Sequence, residues 1–297
     1  MKFNKSFSNP PKRKYKIGIA FGGGGTKGFA HLGVLKAFEE NNISFDEVSG
    51  TSVGSLVASF YAFGLSSDEM FQKAKALKTS DIRNSRIFFV PSSTVGIQNF
   101  IKNVIGDAHF EDMQKPLTVV AVDLISSKEV HITKGSVAKA VAGSCAVPGI
   151  FSPVDFGEYR LADGGLQNTI PADVLRNNGC KYVISVDVNP TRGHGTESTN
   201  LKDILLASIR IMMKSNAVKG KLYSDICINV DTSKYKGTSL ENADEMFNAG
   251  YKAAMELMPK IKSLIFENNK RKFSLINLFR KNRNKSLKEE REYTIDS

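Results

Sequence analysis

Three glycine-marked turns bring together the residue types that acyl transfer needs. They are residues 23–28 (GGGTKG), residues 50–54 (GTSVG) and residues 163–165 (DGG). A serine that attacks a carbonyl carbon needs a group that accepts its proton and N–H donors that stabilise the oxyanion. The first turn offers N–H donors, the second a serine hydroxyl and the third a carboxylate. Their combination indicates nucleophilic catalysis by serine.

The first turn lies between a predicted strand, residues 15–21, and a predicted helix, residues 27–41. Glycines leave their N–H groups unshielded, and at a helix N-terminus these groups form an anion site together with the helix dipole. The same turn also matches G-x-G-x-x-G, and Asp46 follows Gly28 by eighteen residues. A dinucleotide-binding oxidoreductase is therefore a second hypothesis, although it explains the first turn alone.

The second turn has the strand–turn–helix context of a nucleophile elbow. Gly50 and Gly54 flank Ser52 and let the strand and the helix approach each other closely. We expect the Ser52 hydroxyl to be exposed at the N-terminus of the helix. The simpler alternative is a serine that only caps this helix.

The third turn follows a short strand-like run, residues 159–162. An aspartate followed by two glycines is typical of an ordinary turn. Beside the other two turns, however, Asp163 is the candidate proton acceptor for Ser52.

The elements around these turns alternate between strand and helix patterns, which predicts a layered α/β fold with a mostly parallel central sheet flanked by helices. The predicted strands are residues 15–21, 43–48, 117–123, 129–133, 182–188 and 225–230. The predicted helices are residues 27–41, 53–63, 95–104, 137–146, 171–178, 201–216 and 242–265.

The chain resembles the bacterial patatin-like phospholipases in four segments. Residues 23–35 are similar to the oxyanion loop and first helix of that family, and residues 50–54 to its nucleophile motif. Residues 144–154 resemble the segment before the catalytic aspartate, and residues 163–165 the D-G-G/A motif. The resemblance covers about residues 15–190 and implies a patatin-like fold. Lys27 stands where the family often has arginine, which keeps the charge.

The resemblance implies a Ser–Asp dyad that works without a metal or cofactor. Ser52 would be the nucleophile and Asp163 the general base, and the two side chains would lie within hydrogen-bonding reach. The N–H groups of Gly23, Gly24 and Gly25 would form the oxyanion hole. The residues that support these motifs are Thr26, Lys27, Gly28, Gly50, Gly54, Gly164 and Gly165. Since a free aspartate has a pKa of about 3.9, burial would have to raise its basicity.

A Ser–His–Asp triad is the alternative, because Ser52, Asp163 and His194 follow the chain order of α/β-hydrolases. His194 lies between two glycines in a predicted loop. His31 falls on the helix after the glycine loop, where we expect it to pack against that loop or orient it.

Composition excludes several classes of protein. Hydrophobic residues make up 41% of the 297 residues, which is enough for a core and unlike a disordered chain. The three cysteines have no metal-site or CxxC spacing, which indicates reduced thiols. The first 16 residues have no apolar stretch typical of a signal peptide. We therefore expect a cytoplasmic location, with association with a membrane as a further option.

The positive charge is concentrated at the two ends. Residues 1–16 carry +6 and residues 260–288 carry +9, whereas residues 17–259 carry −1 of the net +11. This distribution favours an anionic membrane surface as a partner of the ends and argues against specific nucleic-acid binding. A tail helix would place Leu275, Ile276 and Phe279 on one side.

We expect a basic N-terminal arm (residues 1–14), a patatin-like catalytic core (residues 15–190) and helices and a strand that complete it (residues 191–259). A basic tail (residues 260–297) would follow. The expected function is hydrolysis of acyl esters in phospholipids or related lipids. An acyltransferase with the same serine chemistry is the alternative, and a dinucleotide-binding oxidoreductase is less favoured.

Overall fold

The computed structural model describes residues 15–77, 79–82, 91–189, 197, 199–235 and 241–267. The predicted N-terminal arm, His194 and the tail beyond residue 267 lie outside these residues. The chain divides into two compact units, residues 1–255 and residues 256–297. The described part of the second unit holds the end of the last long helix and a π-helical turn, Ser263–Glu267.

One mixed sheet organises the first unit. Its strands are β1 (Ile17–Phe21), β2 (Glu47–Thr51), β3 (Leu117–Asp123), β4 (Lys128–Ile132), β5 (Val154–Phe156), β6 (Tyr159–Asp163), β7 (Tyr182–Asp187) and β8 (Ile226–Asn229). Hydrogen-bonded neighbours follow the path β5-β6-β3-β2-β1-β7-β8, and β4 pairs with β3.

Helices of very different lengths connect the strands. They are α1 (Phe29–Glu40), α2 (Val53–Phe63), α3 (Ser67–Lys75), α4 (Thr79–Ile82), α5 (Val95–Ile105), α6 (Val137–Ser144), α7 (Ala172–Asn177), α8 (Leu201–Tyr223) and α9 (Ala243–Lys262). The expected α/β class with a mostly parallel sheet flanked by helices is confirmed.

The parallel part of the sheet has a topological switch point at β1. The chain runs from β1 outward through β2 and β3 on one side, and β7 and β8 lie on the other side. In open α/β sheets, ligands bind in the crevice outside the carboxyl ends of the strands at such a point. The glycine loop that follows β1 therefore lies where a site is expected.

Strands β2 and β6 meet end to end on one edge of β3. Val120 pairs with Thr51 of β2, and the next residue, Ala121, pairs with Asp163 of β6. Both residues of β3 also pair with β4, which therefore occupies the opposite edge. Because β2 is parallel and β6 antiparallel to β3, the two strands point their carboxyl ends at each other. The register thus brings Ser52 and Asp163 together.

The predicted bounds of strand β2 and helix α8 were wrong. Strand β2 runs from Glu47 to Thr51, whereas residues 43–48 were predicted. The predicted end was too early because the last three residues of the strand are not apolar and yet are buried. The hydroxyls of Ser49 and Thr51 donate to the carbonyl oxygens of Pro171 and Asn168 at 2.8 Å, which satisfies their polarity. Helix α8 continues to Tyr223, seven residues beyond the predicted end.

Gly54 lets α2 pack directly on the end of β1. A methyl group at this position would overlap the carbonyl oxygen of Phe21 and crowd that of Gly22. Because both neighbours are backbone atoms, no side-chain adjustment can relieve the overlap.

We therefore expect Gly54→Ala to lower the free energy of unfolding by about 2–3 kcal/mol in urea titrations. Gly157→Ala is the control, since its added methyl would meet open space and only the positive φ of 61° opposes it, at about 1 kcal/mol. Equal stability of the two variants would show that β1 and α2 separate without cost.

Candidate active site

Ser52 has the backbone of a strained elbow. It follows β2 directly and precedes α2, with φ 54° and ψ −132°, a conformation that non-glycine residues rarely adopt. Its side chain makes no capping hydrogen bond to α2, so the cap alternative is wrong. Ser52 is 6% exposed, so it is more buried than we expected.

A buried hydrogen-bond relay holds this elbow in place. The Ser52 N–H donates to Oγ of Ser144 at 2.8 Å, and the Ser144 hydroxyl donates to the carbonyl oxygen of Val120 at 2.6 Å. On the other side, the Ser55 hydroxyl donates to the carbonyl oxygen of Ser52 at 2.6 Å. Ser144 thus ties the strained residue to β3. Sequence reasoning did not assign it a role, although it lies in one of the four resembling segments.

Asp163 is fully buried beside Ser52. Its Oδ1 accepts the N–H of Gly165 at 2.8 Å. Its Oδ2 is buried and has no hydrogen-bond partner of normal geometry among the described residues. Burial raises the pKa of Asp163 to about 6, against the smaller lowering effects of the Ser52 hydroxyl and the Gly165 N–H. The Ser52 hydroxyl thus adjoins a carboxylate that has a free oxygen and raised basicity.

Cys145 is a second nucleophilic group near the same pair. Burial and the negative charge of Asp163 both raise the pKa of its thiol, and the hydroxyls of Ser52 and Ser55 lower it by less. The thiol is therefore protonated at neutral pH. Because the thiolate is the reactive form, the raised pKa makes Cys145 a weak nucleophile at neutral pH.

Four hydrogen bonds hold the start of the glycine loop, at Gly22 and Gly23. Gly22 donates to Val186 at 3.0 Å and accepts from Nε2 of His31 at 2.8 Å. Gly23 donates its N–H to the carbonyl oxygen of Thr169 at 3.0 Å, and its own carbonyl accepts from Asn189 at 2.6 Å. The N–H of Gly23 is therefore engaged.

The N–H groups of the next two glycines, unlike that of Gly23, are not engaged in hydrogen bonds to described residues. Within the described ranges, neither Gly24 nor Gly25 donates its N–H to another group. The loop passes close to Ser52, because a methyl group on Gly23 would lie 3.3 Å from Cβ of Ser52. Two available N–H donors therefore lie in the loop beside Ser52.

His31 is a neutral positioning group in this structure. It is fully buried, and burial lowers its pKa to about 4. At neutral pH its Nε2–H donates to the carbonyl of Gly22, which fits the expectation that His31 orients the loop. His131 lies elsewhere, with Nε2 2.6 Å from a carboxylate oxygen of Glu129.

The remaining motif residues lie in or next to the three turns. Thr26, Lys27 and Gly28 form a 3₁₀ turn between β1 and α1. Gly50 lies in β2, and Gly164 and Gly165 begin the 3₁₀ turn Gly164–Leu166 after β6. Burial lowers the pKa of Lys27, and the nearby carboxylate of Asp187 opposes this effect.

Helix α8 covers one side of the site. A methyl group on Gly23 would lie 3.8 Å from Cε of Met213, and one on Gly165 would overlap the same atom. The helix is anchored there, since Thr169 donates to the carbonyl of Met213 at 2.5 Å and Asn216 donates to that of Leu166 at 2.7 Å. Sequence reasoning missed Met213 because no motif marks it.

A family model for patatin-like phospholipases matches residues 19–176, which contain all three turns. The chain belongs to the patatin-like phospholipase family. An NTE family protein of Mycobacterium tuberculosis is 30% identical over 186 residues, which are 60% of this chain and 32% of that protein. The lysophospholipase NTE1 of Mycosarcoma maydis is 29% identical over 82% of this chain and 15% of its own length.

Neuropathy target esterase sws of Drosophila melanogaster is 27% identical over 79% of this chain and 19% of that protein. The chain thus spans a third or less of these three relatives. The crystal structure of VipD from Legionella pneumophila has a TM-score of 0.53 at 14% identity, over 83% of this chain and 67% of that chain. This likeness shows that the two share the patatin-like fold.

In this fold Asp46 does not lie where a nucleotide-binding site would need an acidic residue. Its Oδ2 accepts the N–H of Ile17 at 2.7 Å, and Asp46 directly precedes β2. The glycine loop follows the opposite, carboxyl end of the parallel neighbour β1. A ribose-binding acid belongs at that carboxyl edge, so the dinucleotide hypothesis loses its second element.

We expect Ser144→Ala to leave the N–H of Ser52 and the carbonyl of Val120 buried without their partner. The free energy of unfolding in urea should fall by about 1–3 kcal/mol. Ser59→Ala is the matched control, because the equally buried Ser59 hydroxyl donates within its own helix, to Leu56. An equal loss in both variants would contradict a specific role of Ser144 in holding the elbow.

Proposed function

We propose that this protein hydrolyses acyl ester bonds in phospholipids or related lipids, with Ser52 as the nucleophile and Asp163 as the general base. The observation that carries the proposal is that a strained serine lies next to a buried carboxylate. The Ser52 side chain makes no capping bond to α2, and one oxygen of Asp163 has no hydrogen-bond partner among the described residues. The names of the relatives, lysophospholipase and esterase, support the same substrate class.

In the first step, Oγ of Ser52 attacks the ester carbonyl carbon while Oδ2 of Asp163 takes the hydroxyl proton. A tetrahedral intermediate forms, and its negative charge falls on the former carbonyl oxygen. Asp163 then gives the proton to the leaving alcohol as the carbon–oxygen bond breaks. In the second half, Asp163 takes a proton from water as the water oxygen attacks the acyl carbon. It then gives this proton to Oγ of Ser52 as the acyl–Oγ bond breaks and the fatty acid leaves, which restores the starting state.

The oxyanion would be bound by the N–H groups of Gly24 and Gly25. We narrow the predicted set in this way because the N–H of Gly23 already donates to Thr169. Donors that are fixed before the reaction need no reorganisation when the charge develops. Four hydrogen bonds to Gly22 and Gly23 supply that rigidity.

The raised pKa of Asp163 suits this role. General bases work best when their pKa lies near the working pH, and a carboxylate of ordinary pKa is a weak base at pH 7. A value of about 6 leaves Asp163 mostly ionised at neutral pH while it binds a proton more readily than a free aspartate. This raised basicity supports a Ser–Asp dyad over a triad as the proposed arrangement.

The proposal also includes the surface at which the protein meets its lipid substrate. We propose that the basic ends, residues 1–16 and residues 260–288, add electrostatic attraction to an anionic membrane surface. No helix in the described part of the chain combines the length and apolar character that crossing a bilayer requires.

The experiment is labelling of the full chain with a fluorophosphonate probe, read by intact mass. We expect one adduct per chain, absent in Ser52→Ala and retained in Ser59→Ala and His194→Ala. Loss of labelling in His194→Ala would replace the dyad with a triad. Products from a labelled phospholipid then separate a hydrolase, which releases free fatty acid, from an acyltransferase.

The pH dependence follows from the buried base. The rate of Ser52 acylation should rise from acid to neutral pH with a midpoint of about 6, because Asp163 accepts a proton only when ionised. Asp163→Asn should remove this rise and slow acylation by about 10³-fold or more. The acylation rate is measured by stopped-flow detection of p-nitrophenol released from a short-chain p-nitrophenyl ester. A flat profile between pH 5 and pH 7 in the unchanged protein would contradict the assignment of Asp163.

A further inference from the structure

The peptide between Gly23 and Gly24 is held at one atom only within the described chain. Its carbonyl oxygen accepts the side-chain amide of Asn189 at 2.6 Å, while its N–H, on Gly24, has no acceptor there. The preceding peptide differs, because its carbonyl oxygen is bonded to His31 and its N–H to Thr169. The orientation of the Gly23–Gly24 peptide therefore depends on Asn189.

A peptide between two glycines can turn over with little steric resistance. Neither residue has a Cβ, so ψ of Gly23 and φ of Gly24 can both change by about 180° without the clashes that other residues meet. In a trans peptide the N–H points opposite to the carbonyl. Turning this peptide over would therefore exchange the positions of the Gly24 N–H and the Gly23 carbonyl.

The strand order shows to which side the Gly24 N–H points. Strand β1 lies between β2 and β7, and both neighbours are parallel to it. Ser52 therefore flanks the glycine loop on the β2 side, and Asn189, two residues beyond β7, flanks it on the other side. Since the carbonyl of this peptide is turned to Asn189, its N–H points away from Asn189, toward the side of Ser52.

The main chain at Asn189 is itself held by buried groups. Its N–H donates to Oδ1 of Asp187 at 2.8 Å, and Oδ2 of that buried carboxylate pairs with Nζ of Lys221 on α8 at 2.6 Å. The neighbouring carbonyl of Val188 accepts the hydroxyl of the buried Thr232 at 2.5 Å. The Asn189 amide is therefore presented to the glycine loop from a fixed main chain.

An amide side chain suits this position because of what it can donate. The Gly23 carbonyl accepts hydrogen bonds only, and the NH₂ group of asparagine carries two donors. An ionised carboxylate of the same shape has acceptors only, so it would repel this carbonyl and attract the N–H of Gly24. A donor and an acceptor at residue 189 thus favour opposite orientations of the same peptide.

We infer that Asn189 is a positioning residue, whose amide holds the Gly23–Gly24 peptide in the orientation that presents the Gly24 N–H to the developing oxyanion. This inference rests on the proposed function, in which Gly24 and Gly25 bind that charge. An oxyanion donor is effective because it is aimed before the reaction begins. A donor that turns away is therefore lost without any change in the nucleophile or the base.

Single-turnover acylation of the full chain by a p-nitrophenyl ester at neutral pH tests the inference. Asn189→Ala removes the anchor and should slow acylation at saturating ester about tenfold or more. Asn189→Asp turns the peptide over and should slow acylation about 10²-fold or more, the effect of losing one oxyanion donor. The ester concentration that gives half the maximal rate should change little, because the lost bond forms in the transition state.

The order of the two variants separates positioning from packing. If the Asn189 side chain only filled space, Asn189→Asp would be the milder change, because it keeps the shape. Asn41→Ala is the matched control, since this half-buried asparagine at the end of α1 also donates to a backbone carbonyl, that of Ala37 at 2.8 Å. It should acylate like the unchanged protein. The inference is overturned if Asn189→Ala does the same, or if Asn189→Asp is the milder variant.

A thionoester provides a second measurement. Sulfur is a weaker hydrogen-bond acceptor than oxygen, so the ratio of the ester rate to the thionoester rate reports the donors at the oxyanion. Asn189→Asp should lower this ratio about tenfold, whereas a general loss of structure would slow both substrates alike. Asn189→Ala should lower it in the same direction, which keeps the test available if the other variant does not fold. An unchanged ratio contradicts the inference.

A crystal structure of the Asn189→Asp variant distinguishes this inference from the proposed function. We expect the Gly23–Gly24 peptide to be turned over, with the Gly24 N–H donating to the introduced carboxylate, and an unturned peptide would overturn the inference. If the peptide turns but the unchanged protein forms no fluorophosphonate adduct at Ser52, the hydrolase function fails and the control of the peptide by Asn189 stands. If the adduct forms and both variants acylate normally, the hydrolase function stands and the inference fails.

Discussion

The end-to-end meeting of β2 and β6 on one edge of β3 is the constraint on which the site depends. Thr51 and Asp163 pair with consecutive residues of β3, so residues far apart in sequence are brought together by main-chain hydrogen bonds. A one-residue slip of either strand would turn its side chains to the opposite face. The relay from Ser52 through Ser144 to Val120 fixes the elbow to the same strand. Ser52 and Asp163 are therefore both held against β3.

Burial of the Asp163 carboxyl lowers the stability of the fold at neutral pH. Its folded-state pKa of about 6 exceeds the ordinary value of 3.8, so the protonated form is favoured on folding. The stability that Asp163 contributes is full below about pH 4 and is lost as the pH rises through 6, a difference of roughly 3 kcal/mol. The strained φ of Ser52 adds to this cost. Burial of Asp163 and the strained backbone of Ser52 thus lower stability at the two residues to which we assign the chemistry.

Much of the site could be predicted from sequence, because its turns need glycine at fixed positions. The α/β class followed from alternating patterns, and the motifs led to Ser52 and Asp163. The hydrogen bond from Gly23 to Thr169 could not be predicted, since it depends on how β1 lies beside the loop after β6. Ser49 and Thr51 concealed the true extent of β2, because buried hydroxyls bonded to distant carbonyls leave no apolar pattern. Such pairings depend on tertiary contacts, which local periodicity does not report.

Helix α8 shows why the catalytic core extends beyond its motifs. Its sequence combines apolar and basic residues all round, so periodicity alone gives no single buried face. The structure resolves this by giving the helix two contrasting sides, one anchored by Thr169 and Asn216 and the other exposed. Residues 164–169 bond to all three neighbours: Gly165 donates to Asp163, Gly23 donates to Thr169, and Thr169 donates to the carbonyl of Met213 on α8. The position of α8 is therefore fixed by the same loop that holds Asp163 and the glycine turn, although no motif marks the helix.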